Sequence, residues 1–332
     1  MNKDMAWIRN RNRRNEGDQM KMHIIKAGSL TTVQDVGRYG YMEYGVGESG
    51  AMDRYSFERA NWLVGNDNNE AGLEITLMGP EIEFDDNTII AFMGADMDVE
   101  IDGIPIKRGR AYEILKGQKL SFGYAKSGIR TYLAISGGIN VPVVMGSRST
   151  NLMCNIGGMY GRKLLNDDEL EIGNGKIRDK SELMRRRADV NTYSGDICVR
   201  VIKGPQDDYF TEGGIKTFLN NDYKVTPESN RMGIRLSGEK IESKNGMDIV
   251  SDGITFGSIQ VTSAGLPIIL MADHQTTGGY AKIATVVKED LPLLAQARPG
   301  DSVRFKCVTL KDLKKGRFIK YLGNNEKTYM RK

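Results

Sequence analysis

Thirty-nine of the 332 residues are glycine, and they fall between short runs rich in Ile, Val, Phe, Tyr and Thr. No other feature constrains the fold as much. β-Branched and aromatic side chains suit a pleated surface, and glycine supplies the backbone conformations that tight turns demand. Asp102-Gly103, Asn245-Gly246 and Asp252-Gly253 have the composition of two-residue hairpin turns. The spacing of strands and turns predicts β-barrels or sandwiches rather than βαβ units. Two or three helices are expected to interrupt it. One begins near Asp53, with Phe57, Ala60 and Val64 at helical spacing and Gly65-Asn66 as its stop. Another covers Asp207 to Asn220, broken at Gly213-Gly214.

The chain is long enough for two domains of ordinary size. The charged stretch from Lys176 to Asn191, with Arg185-Arg186-Arg187 inside it, separates two glycine-rich halves. The expected division is a basic tail at 1–21, a β module at 22–175, a linker at 176–195, a second β module at 196–315 and a tail at 316–332.

Composition excludes several classes. Hydrophobic residues are 39% and charged residues 27%, as in a soluble globular protein, and the apolar runs are well short of the roughly 20 residues that span a bilayer. No secretory pattern opens the chain. Cys154, Cys198 and Cys307 are odd in number and far apart, which fits a reducing cytoplasm. No Cys or His pair has zinc-site spacing, so no metal is expected. The net charge of +4 is concentrated in residues 1–22, which hold six Lys or Arg against three acids. That tail lacks apolar periodicity and reads as disordered, not as a nucleic-acid-binding face. Met20-Lys21-Met22 matches the tripeptide that carries biotin in biotinyl domains, but its flanks are charged and strand-poor, so the match is read as coincidence. The working protein is expected to begin at Met20 or Met22, because Glu16-Gly17-Asp18 would be encoded by a purine-rich run resembling a ribosome-binding site.

The densest polar stretch is Ala272 to Ala284, ADHQTTGGYAKIA, set between the apolar runs PIILM and TVV. A loop of that chemistry at the ends of buried strands is a candidate site; the plain alternative is a solvated glycine-rich turn. Gly45-Val-Gly-Glu-Ser-Gly50 fits a dinucleotide-binding pattern but follows no buried strand, so that reading is rejected. What remains is a loop and a helix N-terminus open to an anion. Gly157 to Lys163 lacks the spacing of a phosphate-binding P-loop. Gln34-Asp35-x-Gly-Arg38, Ser147-Arg148-Ser149-Thr150 and Ser229-Asn230-Arg231 each set an arginine near polar side chains, and together they suggest an anionic ligand. The alternative is that each arginine caps a carbonyl or bridges to a local acid.

TTVQDVGRYGYMEYGVGESGAMDRYSFERANWLVGN, AGLEITLMGPEIEF, ISGGINVPVVMGSRST, SNRMGIRLSG, GSIQV and LMADHQTTGGYAKIATV follow one another in this chain. From about Met22 to about Phe305 the sequence resembles the allophanate hydrolase subunit 2 family. That family includes one component of the bacterial ATP-dependent 5-oxoprolinase, the antagonist of the kinase inhibitor KipI, and part of the carboxyltransferase region of urea carboxylase. Asn230 stands where the family often has Asp, and His274 where it often has Arg; prolines expected near the linker are missing.

The resemblance implies a mainly β protein of two cyclophilin-like β-barrel modules with a few short helices. It implies the C-subunit of a cytoplasmic 5-oxoprolinase. Two partner chains would join it, one KipI-like (the B-subunit) and one amidohydrolase-like (the A-subunit). The substrate would be a lactam or amide, with ATP and Mg²⁺ as cosubstrates. Activity of the chain alone is not expected. The alternatives are a carboxyltransferase component of a biotin-dependent carboxylase, and a non-catalytic antagonist of a KipI-like inhibitor. In the first reading Lys282 and Arg148 neutralise charge, and Thr276, Thr277, Gly278 and Gly279 donate hydrogen bonds to an oxyanion. Tyr280 and Gln260 orient the amide, Gln275, Arg231, Ser147 and Arg38 complete the binding set, and His274 is a structural hydrogen-bonder.

Overall fold

A computed structural model describes residues 20–175 and 179–315. The expectations for residues 1–19 and 316–332, the translation start among them, lie outside the described residues, as does the stretch 176–178.

The first half folds around a nine-stranded antiparallel sheet. Its main path runs Leu30–Gln34, Gly72–Thr76, Lys119–Ile135, Glu81–Phe84, Lys21–Lys26 and Glu169–Glu171. Thr88–Ile101 pairs antiparallel with Lys119–Ile135 along most of its length and also carries Ile104–Ile106 and Ala111–Ile114. Thr88–Ile101 opens on a continuous apolar run because both its faces are covered. Ile90 and Phe92 enter the main core with Val33, Leu73 and Leu133. Ile89, Ala91 and Met93 face a second layer, where helix Arg54–Leu63 places Phe57, Ala60 and Leu63. Halfway along, the register shifts after Gly94. A Cβ there would sit 2.3 Å from the Arg130 carbonyl oxygen, and φ is +107°, so only glycine lets the strands approach at this bend.

The second half is a closed seven-stranded barrel. Its order is Asp196–Lys203, Lys282–Val286, Ser258–Val261, Pro267–Leu270, Gly233–Ser237, Tyr223–Val225 and Ser302–Cys307. Closure comes from the parallel pairing of the first and last of its strands in the chain. Val199, Val201, Ile259, Ile269 and Phe305 fill its core. Helix Glu212–Asn220 stacks Phe218 on Phe305 with ring centroids 4.4 Å apart. Beside the barrel lies a two-stranded ribbon of Asp248–Gly253 and Thr277–Tyr280. The mainly β architecture with barrel-type sheets and few short helices is as expected.

Some local expectations hold and others change. Met20 and Met22 are 4% and 0% exposed in the first core, so the folded chain begins before the anticipated boundary. Lys21 sits within a strand and pairs with Glu169 at 2.9 Å, not at a hairpin tip. The stretch 207–220 breaks at Phe210-Thr211 instead of at the glycines: the Thr211 hydroxyl accepts from Gly214 N at 2.8 Å and caps the helix. Asp102-Gly103 is a hairpin turn, with φ of 50° and 78°. Asp252-Gly253 instead ends a ribbon strand. The charged stretch after 179 is docked rather than free: helix Lys180–Arg185 buries Leu183, and Arg186 donates to the Trp62 carbonyl and lies over its ring.

A buried polar network joins the two halves. Arg231 pairs bidentately with Asp273, at 2.9 and 3.0 Å, and also reaches Glu74 and the Gly50 carbonyl. Glu74 accepts from the Tyr132 hydroxyl and from Met52 N. Gln296 accepts from Ile129 N and Arg130 N and donates to Asp53 and to the Arg130 carbonyl. Burial alone would raise the Glu74 carboxyl, but Arg231, Arg130 and its hydrogen bonds outweigh that and hold it below the usual carboxylate range. At Asp53 burial wins, and its pKa is raised despite bonds from Ser56 and Gln296.

Candidate functional site

The polar stretch after Met271 is only partly a loop. Asp273 and His274 are buried, and Thr277–Tyr280 is a strand of the ribbon. That strand forms one wall of a cavity of about 320 Å³ on the barrel. Gly278, Gly279 and Tyr280 of this strand line it with Gln275, and Gln260, Asn230, Arg235, Met232 and Ile268 are among the other lining residues. Gln260 is 6% exposed and donates to the Tyr280 carbonyl at 3.2 Å. A Cβ on Gly278 would come within 2.7 Å of its Nε2 and 2.6 Å of Ile254 Cδ1, so a larger residue there would push the ends of these two side chains aside. Among the lining residues only Arg235 is charged. The cavity is therefore rich in amides, which both donate and accept hydrogen bonds, with one cation at an exposed position.

The structure thus brings together Gln260, Gln275, Gly278, Gly279 and Tyr280. The other candidates lie elsewhere. Lys282 is 3% exposed, and its ammonium pairs with Asp252 at 2.6 Å and the Gly253 carbonyl at 3.0 Å. It pins the far strand of the ribbon instead of facing the cavity. The Lys282 bond holds the Asp252 carboxyl below its usual range. Thr276 uses its carbonyl to accept from Ile254 N, and Thr277 pairs with Gly253 at the ribbon end. Neither lines the cavity.

The arginine motifs have internal partners. Asp35 accepts from the Ser147 and Ser149 hydroxyls, at 2.7 and 2.5 Å, and from Arg148 N at 2.6 Å. Arg38, fully buried, donates to the Val144 and Ser149 carbonyls. The QDVGR and SRST segments therefore clasp each other. Arg148 also donates to Val141 O and borders a separate groove of about 860 Å³ that shares no lining residue with the amide cavity. Arg231 is held in the network between the halves. The anion site expected at the helix N-terminus is not open either: Asp53 caps it through Ser56 N and is 1% exposed. His274 hydrogen-bonds the Gln275 carbonyl at 2.6 Å through Nδ1.

Asn230, singled out with Arg231 in the sequence, lines the cavity while Arg231 does not; Met232, Arg235 and Thr262 also line it and were not among the candidate site residues. Arg235 had a signal: it is the outward position between buried Ile234 and Leu236 in strand Gly233–Ser237.

Known proteins resemble this chain over most of its length. The model of the carboxyltransferase domain, subdomain A and B, matches residues 44–307. The C-subunit of the Escherichia coli K12 5-oxoprolinase is 38% identical over 89% of this chain and 94% of its own. That of Haemophilus influenzae is 34% identical over 88% and 93%. The solved urea carboxylase of Kluyveromyces lactis superposes with a TM-score of 0.81 at 32% identity; the match covers 89% of this chain but 28% of that longer one.

Proposed function

This chain belongs to the family of the carboxyltransferase domain, subdomain A and B, and on that premise we propose that it is the C-subunit of a 5-oxoprolinase. The two bacterial relatives of that name, matched almost end to end, support the reading. The chain works in a heteromeric complex, with one KipI-like and one amidohydrolase-like partner chain. The complex opens 5-oxoproline with water to give glutamate, coupled to ATP hydrolysis.

The observation that carries this reading is the amide-lined cavity around Gln260, Gln275 and Asn230. A five-membered lactam acid presents one N–H, one carbonyl and one carboxylate. Gln260, Gln275 and Asn230 suit the lactam amide, the Tyr280 hydroxyl suits its carbonyl oxygen, and Arg235 suits the carboxylate. Hydrogen bonds that strengthen as the carbonyl oxygen gains charge would favour ring opening. Lys282 acts in this reading through Asp252, by holding the ribbon that supplies the wall. The cavity does not fit a magnesium triphosphate, because its lining has one cation and no carboxylate. ATP is bound elsewhere in the complex in this reading.

The test is reconstitution. This chain with Mg²⁺, ATP and 5-oxoproline is expected to release no glutamate, and the three co-purified chains are expected to release it. Turnover by the lone chain, or none by the assembly, overturns the assignment. Gln260→Ala in the assembly should lower kcat/KM by about tenfold or more.

The likeness to the K. lactis urea carboxylase favours one other reading, a carboxyltransferase component whose amide acceptor occupies the same cavity. Carboxyl transfer to urea from carboxylated biotin, with no glutamate formed by the three-chain assembly, would select it.

A further inference from the structure

A second cavity, of about 410 Å³, lies in the seam between the two halves. Glu48 and Arg54 come from the first half, and Phe256, Lys288 and Leu291 from the second. It shares no lining residue with the amide cavity, yet the two touch through one segment: Ile254 lines the amide cavity, while Thr255 and Phe256 line the seam. Its size falls within the roughly 300–1,000 Å³ typical of small-molecule sites.

The chemistry of its wall is specific. One side is apolar, made by Met52, Val286, Leu291 and Pro292 beside the Phe256 ring. Its charged groups are two cations and one carboxylate, and Tyr39, Thr255 and Thr285 add hydroxyls. Arg54 is steadied by bonds to the Val36 carbonyl and the Tyr39 hydroxyl, with its guanidinium 5.4 Å from the Tyr39 ring centroid. Lys288 is exposed and makes no ion pair within 4.0 Å among the described residues. Glu48 is half-buried and makes no side-chain hydrogen bond among them. Burial pushes its carboxyl above the usual range, although His274 and Lys288 draw it down. Two cations and an acceptor over an apolar wall match a compact ligand bearing a carboxylate, an N–H group and methylenes between them.

We propose that the seam cavity is a second ligand site, for a small α-amino acid or its lactam. The carboxylate sits between Arg54 and Lys288, the N–H group donates to Glu48, and the methylenes lie on Leu291 and Phe256. This site is independent of the reading given to the amide cavity.

Calorimetric titration of the isolated chain with four probes tests this, without ATP or partner chains. Glutamate and 5-oxoproline represent the open and closed forms, acetate carries the carboxylate alone, and 2-pyrrolidinone carries the lactam alone. At least one of the first two should bind, with acetate and 2-pyrrolidinone weaker by about tenfold or more. Lys288→Glu, at an exposed position, and Glu48→Gln, which keeps the shape, should each weaken binding by about tenfold while Tm stays within a few degrees. Gln260→Ala should leave the affinity of this site unchanged. Absence of binding by both amino-acid probes overturns the proposal. So does binding that survives Lys288→Glu and Glu48→Gln but is lost in Gln260→Ala, which would place the ligand in the amide cavity alone.

Discussion

At the scale of single residues, Gly278 abuts two side chains of the amide cavity. Alanine there would drive a methyl group against Gln260 and Ile254. We expect Gly278→Ala to fold with a Tm lowered by only a few degrees and to lose about tenfold to a hundredfold in kcat/KM of the assembled enzyme, as displacements of about 1 Å in a site do. Unchanged kinetics would mean that the cavity wall has no part in turnover. Four residues of this cavity, Gln275, Gly278, Gly279 and Tyr280, were legible in the sequence because a polar run between two buried strands has few other uses; Gln260 lies outside that run and came from the family resemblance. The arginines misled for a physical reason. A guanidinium needs acceptors, and nothing local shows whether they come from a ligand or from a distant segment. Asp35, Ser147 and Ser149 satisfy one another across 112 and 114 positions, and Arg231 finds Glu74 across 157. Arg235 was missed because one outward arginine in an alternating strand looks like any solvated one.

At the scale of elements, the ribbon is a small unit held by a few contacts. Its outer strand, Asp248–Gly253, is mostly exposed and is tied to the barrel by Lys282 and Gln206 through Asp252. Lys282→Met keeps the length and apolar stem but removes the tie. Amides of Asp248–Gly253 should then exchange with deuterium about tenfold faster while those of the barrel strands do not change. Equal protection in both proteins would show that the ribbon is held by its backbone pairing alone. Helix Arg54–Leu63 is the element most fully written in the sequence, with its cap, buried face and glycine stop all in place. Asp53→Ala should cost about 1 to 2 kcal/mol in urea denaturation, since it removes a helix cap and a partner of Gln296 together. Asp252-Gly253 was misread because a hairpin turn of that composition needs φ above zero at glycine, and Gly253, paired within the ribbon, has no positive φ.

At the scale of the whole molecule, the two halves stand or fall on the network around Glu74 and Arg231. Removing one member of a buried ionic cluster strands the others, so Arg231→Met should cost about 3 to 5 kcal/mol. A loss below about 1 kcal/mol would mean that apolar packing, not this network, joins the halves. The acid limb of stability carries its signature. Glu74 has a lowered pKa in the folded protein. Its ionised form therefore stabilises the fold above the ordinary carboxylate value of about 4.3, and that contribution drains away as pH falls through the lower folded value. Asp53 has the opposite sign: its raised pKa means that ionisation costs stability, and protonation relieves it. In Tm profiles from about pH 3 to 7, Glu74→Gln should lie well below the parent at pH 7 and approach it at pH 3. Parallel profiles would rule out Glu74 as the source of the acid limb. The barrel adds a consequence for how the chain is made. Its first strand, Asp196–Lys203, finds its parallel partner only in its last, Ser302–Cys307. On the ribosome the long antiparallel strand pair of the first half can form while the second half is still being synthesised, whereas the barrel must wait, unclosed, until Cys307 has left the exit tunnel. A ribosome stalled before Ser302 should therefore display a first half already resistant to protease and a second half still open to it.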